Sequence, residues 1–166
     1  MPEITLDGWF HTIMGITALV SGYYTLAKYK VIGFEQLSGK IYLGSTLITA
    51  ASAMFIFKHG GFGVAHALAV LTLLALAAGT IAAKTNILRG LSPYFQAMCF
   101  SATLLFHMIP AITDGLMRLP VGDPIVTNIE DPLLRGFYLA FLIAYIVGFA
   151  LQVLWLRNQN SQPEMA

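Results

Sequence analysis

The 166-residue sequence predicts an all-α integral membrane protein, a helical bundle of about five transmembrane helices. Two observations carry this. The chain is 57% hydrophobic and only 10% charged, whereas soluble domains carry charge on about a quarter of their residues. The charged residues also fall in short groups, and the stretches between them are long enough to cross a hydrocarbon core, which takes about 20 helical residues. These stretches are continuously apolar, without the alternation of a transmembrane barrel.

The first expected span runs over residues 8–27. Gly8, His11, Gly15, Ala18 and Gly22 recur in it at intervals of three and four, so they share one face. Small residues let a neighbouring backbone approach closely, and His11 therefore lies on a packed face. The second span, 39–57, carries a weaker polar stripe of Tyr42, Ser45, Thr49 and Ser52, the usual pattern of hydrogen-bonding glue between helices. Lys58, His59, Gly60 and Gly61 make a tight hairpin into the third span, 62–83.

The fourth span, 91–113, is the most informative. Gln96, Cys99, Thr103, His107, Pro110 and Asp114 step by three or four into one polar stripe, which leaves Phe100, Leu104, Leu105, Phe106 and Ile109 for lipid. Pro110 removes a backbone donor just beyond His107. Residues 114–131, with Gly122, Pro120 and Pro124 among acids, read as a loop or interfacial segment. The fifth span covers 133–155. Residues 1–157 thus form one domain, followed by a polar cytoplasmic tail, 158–166.

Basic residues set the orientation. Lys28, Lys30, Lys40, Lys84, Arg89 and Arg157 fall on one side; Lys58, Arg118 and Arg135 fall on the other with most of the acids. The N-terminus is expected outside and the C-terminus inside, with Trp9 and Trp155 at opposite interfaces. The acidic N-terminus lacks the positive region of a secretory signal, so the first span is expected to stay. A net charge of +1 gives no footprint for nucleic acid, so the expected partners are the bilayer and other membrane subunits or a second copy.

On this placement all four histidines lie in the outer half. His11, His66 and His107 come from three helices at depths that agree within about 5 Å. One reading is a b-type haem, with His66 and His107 as axial ligands and His11 as the substitute. Another is a copper or zinc ion on the same three imidazoles, with Met14, Met54 and Met108 nearby to suit Cu(I). A third is a protonatable cluster with Asp114 at its mouth and Arg135 to neutralise it, as in a small transporter or proton-coupled permease subunit. The bland alternative is a set of wet, structural interface histidines. Thr103 and Gln96 complete the expected polar pocket. No phosphate loop, nucleophile elbow or other enzyme motif is present. Cys99, the single cysteine, reads as a small hydrophobe.

Three runs carry a resemblance: Ser38 to Gly44 (Ser-Gly-Lys-Ile-Tyr-Leu-Gly), Gly60 to Leu68 (Gly-Gly-Phe-Gly-Val-Ala-His-Ala-Leu) and Ile109 to Pro120. Over about Gly33 to Pro120 the chain resembles a family of bacterial multi-pass membrane proteins of unknown function. The resemblance implies a bacterial inner-membrane location and marks His66 as a family position; it supplies no activity. Many relatives carry histidines near the positions of Glu35 and Tyr94, where this chain has none.

Overall fold

The computed structural model describes residues 5–56, 61–85 and 87–161, and these form an all-helical chain without strands. Lys58, His59 and Gly60 of the expected hairpin, and residues 162–166 of the expected tail, lie outside the described residues. Helix α1, Leu6–Tyr29, starts at Thr5, whose hydroxyl accepts the Gly8 N–H at 3.2 Å. It stops at Lys30, which adopts the left-handed conformation (φ 70°) and returns its N–H to the Leu26 carbonyl. Helices α2 (Leu37–Ala53) and α3 (Val64–Thr85) follow. A single 3₁₀ turn, Arg89–Leu91, leads into α4, Ser92–Arg118, with Pro93 in the first turn, where a missing N–H costs nothing. Helix α5, Pro132–Asn160, is capped by Asp131, whose carboxylate accepts the Leu133 N–H at 2.8 Å.

Three segments are long and apolar enough to cross a membrane: Val64–Thr85, Arg89–Arg118 and Pro132–Gln159. Helix α2, with 17 residues, is about 25 Å long at 1.5 Å per residue. Two boundaries differ from expectation. Helix α4 runs to Arg118, so Asp114 is helical and the connection shortens to Leu119–Asp131. Helix α5 continues through Asn158 to Asn160, into the segment expected as tail. The connection is folded rather than open. It turns at Gly122 (φ 94°), and its Ile125 and Val126 N–H groups donate to Leu119 and Leu116, which seats Val126 in a buried position.

Helix α1 packs on α2, α2 on α3 and α3 on α4; α4 also touches α1 and carries α5. The core gathers Ala18, Ile32, Tyr42, Leu43, Leu76, Phe100 and Leu104. Two glycines let a ring from a neighbouring helix approach closely. A Cβ on Gly22 would lie 2.7 Å from the Tyr42 ring, and one on Gly79 would lie 2.6 Å from the Phe100 ring. Phe100 and Leu104, expected to face lipid, are buried instead. The reason is positional: α4 has neighbours on several sides, so its apolar face is covered as well as its polar one. Phe34 meets Phe100 edge-on at 5.9 Å, closing the core beneath the α1–α2 loop.

Candidate functional site

The small-residue face of α1 meets the hydroxyl face of α2. Gly15 sits against the Thr49 methyl group, and one turn earlier His11 Nδ1 pairs with Ser52 Oγ at 3.0 Å. From α4, His107 Nε2 pairs with Thr46 Oγ1 at 3.2 Å. Two imidazoles from two helices are thus held by hydroxyls of one helix between them. Thr46 and Ser52 are six positions apart, about 9 Å along the axis.

The network continues toward the middle of the bundle. The Tyr42 hydroxyl, one helical turn from Thr46, pairs with Thr103 Oγ1 and lies on the Phe100 carbonyl. Thr103 in turn donates to that carbonyl at 2.7 Å. Such bonds satisfy polar groups where no water is available. Ser45 and Thr49 donate to carbonyls of their own helix one turn back, so within the α2 stripe only Tyr42 and Ser52 bridge to neighbours.

His66 is buried, and its Nδ1 accepts the Gly63 N–H at 3.2 Å, closing the first turn of α3 while Phe62 lies over its ring. The accepting Nδ1 places the ring proton on Nε2 in the neutral form. Gln96 serves the opposite end of the bundle, where its Nε2 donates to the Ile32 carbonyl at 3.0 Å and fastens the α1–α2 loop. Cys99 is buried. Asp114 is exposed and pairs with Arg118 at 3.7 Å, while Arg135 pairs with Glu130 at 3.6 Å. The structure therefore brings together His11, His107 and Thr103 through α2, and puts Gln96 and Arg135 elsewhere. His59 lies outside the described residues.

Among the described residues no three His, Cys, Asp or Glu side chains converge as metal ligands would. A bis-imidazole haem would need His107 to surrender the bond that its Nε2 makes with Thr46. Among the described residues, no histidine lines the cleft between α1 and α5 or the shallower one between α1 and α2.

Two residues outside the polar stripes of α2 and α4 also matter. Thr46, one helical turn from Tyr42, was open to detection by the i, i+4 rule. Gln152 is the one amide in the apolar run of α5. It is 6% exposed, accepts from Ser101 at 2.9 Å and donates to the Lys30 carbonyl at 2.8 Å. A lone polar residue in such a run points inward, and that was its signal. Comparison with protein families, with characterised proteins and with solved structures returns no match.

Proposed function

We propose that this chain is a five-span protein of the bacterial inner membrane that acts as a small, proton-coupled permease-like subunit. In this reading the N-terminus faces outward and the C-terminus inward. One observation carries it: two imidazoles, His11 and His107, are each hydrogen-bonded to a hydroxyl of α2. Imidazole is the side chain whose charge changes near neutral pH. A hydroxyl hydrogen-bonded to an imidazole can relay a proton, passing its own on as it accepts another. Thr46 on His107, and Tyr42 on Thr103 one turn along α2, add hydroxyls on the inner side of His107. The three apolar segments and the basic residues at one end support the membrane placement.

A second reading, a haem b accessory protein, has one observation in its favour. His66 and His107 are both buried, on helices that pack together. The two readings separate in a single preparation. Purified protein in proteoliposomes, given a pH gradient and an internal pH dye, is expected to pass protons, and His107→Leu and His11→Leu to slow that flux at least tenfold. No flux above empty vesicles would sink the permease reading. A Soret band lost in His66→Ala would establish the haem reading in its place. A reporter fused after Arg157 is expected to be active only in the cytoplasm, and periplasmic activity would reverse the orientation.

A further inference from the structure

The histidine network leaves unused a second built feature, a cleft at the other side of α4. It has a volume of about 520 Å³ and runs between α1 and α5, with Leu104 and Met108 of α4 as its floor. That volume falls in the range of sites for small molecules, about 300–1,000 Å³. The cleft exists because α5 rests on α4 and turns small residues, Ala144 and Gly148, toward it. A Cβ on Gly148 would meet nothing within 4 Å.

The two ends of the cleft differ in chemistry. Along most of its length it is aliphatic and aromatic. At the Lys30 end it closes on a polar clamp, in which Gln152 holds Ser101 at 2.9 Å and the Lys30 carbonyl at 2.8 Å. The clamp brings the end of α1 to α5, and Lys30 and Trp155, the latter one turn beyond Gln152, are both among the residues that line the cleft. The Lys30 ammonium donates to the Ala27 carbonyl at 2.9 Å and has two further N–H groups. An apolar slot that ends in a cation and a tryptophan matches an amphiphile with an anionic head, and basic pockets between membrane helices bind such headgroups.

We propose that this cleft holds one anionic phospholipid of the inner leaflet, with an acyl chain along Leu104 and Met108 and its phosphate on Lys30. The proposal rests on the membrane placement and orientation given above. It does not depend on proton transport. The occupied cleft would bridge α1 and α5, which the Gln152 clamp joins at one end.

Trp155 reports on the site directly, and Trp9 lies at the far end of the bundle as a control. In Trp9→Phe protein, brominated phosphatidylglycerol is expected to quench Trp155 with about fivefold higher apparent affinity than brominated phosphatidylcholine, the worth of one cation at an anionic surface. Lys30→Gln is expected to abolish that preference and Lys30→Arg to keep it. Gly148→Leu, which fills the cleft without touching Lys30, is expected to reduce quenching of Trp155 by either lipid. In Trp155→Phe protein, Trp9 should respond equally to both lipids. Equal quenching of Trp155 by the two lipids, or a preference that survives Lys30→Gln, overturns the lipid site and leaves the membrane placement standing. Absence of quenching of either tryptophan by either lipid overturns the membrane placement, and the lipid site with it.

Discussion

Helices α4 and α5 are both long enough and apolar enough to span a bilayer, yet they occupy opposite situations. The segment containing α4 is the less apolar of the two, yet far more of its residues are buried within the chain than of α5. The less apolar helix is the more enclosed one. In water the order would be reversed, since burial there is driven by apolar surface. Where lipid is the solvent, tails are as apolar as leucine, and enclosure follows close packing and interhelical hydrogen bonds instead. Helix α4 supplies both, through Thr103, His107 and the ring of Phe100 against Gly79. Helix α5 supplies little beyond Gln152, the Tyr138 hydroxyl on Thr113 and the Tyr145 hydroxyl on the Met98 carbonyl.

Glycine substitutions break this comparison most sharply. A Cβ on Gly39 would collide with the Gly33 carbonyl oxygen, a backbone atom that cannot swing aside, and one on Gly79 with the Phe100 ring. Gly39→Val and Gly79→Leu are expected to cost about 1–3 kcal/mol or more, as overpacking does. Unfolding in mixed detergent micelles measures this loss. The corresponding change in α5, Gly136→Ala, meets open space and is expected to be neutral or to gain about 0.5–1 kcal/mol from helix propensity. A loss there equal to that at Gly79 would mean that α5 is as tightly enclosed as α4.

Gln152→Leu comes next. It strands the Ser101 hydroxyl and the Lys30 carbonyl, at an expected cost of about 1–3 kcal/mol. The loss should fall on α5 alone, seen as faster hydrogen exchange there while α1 to α4 keep their protection. Smaller again is the coupling between His107 and Thr46. A double-mutant cycle with His107→Leu and Thr46→Val is expected to return about 0.6 kcal/mol, the average for hydrogen bonds between membrane helices. The smallest effect belongs to Asp114→Asn, which removes an exposed pair with Arg118 and should change stability by at most about 0.5 kcal/mol. A larger loss would place Asp114 in the polar network after all.

Much of the architecture was legible from periodicity. The face of α1 with Gly15, Ala18 and Gly22 packs where small residues belong, and His11 follows it inward because it shares that face. The α4 stripe was legible only in part. Cys99, Thr103 and His107 are buried, but Pro110 and Asp114, further along the same stripe, are exposed. Phe100 and Leu104 were misplaced because a stripe identifies an inward face only when a helix has one inward face. The candidate site shows the same limit. Depth along the sequence grouped His11, His66 and His107, yet His66 bonds to the first turn of its own helix while the other two bond to α2.

By itself the sequence determined that the chain is helical, where each helix runs to within a few residues, and which positions are small or polar. Those properties are local, because they depend on spacing along one chain and on the side chain at each position. The tertiary structure alone decided that α4 occupies the centre, that one helix supplies the hydroxyls for both His11 and His107, and that α1 and α5 stand apart enough to leave a cleft. Each of these depends on how helices are rotated and crossed against one another. The contacts that set that rotation, such as Gly79 on Phe100 and Gln152 on Lys30, join residues far apart in the chain, where no spacing rule connects them.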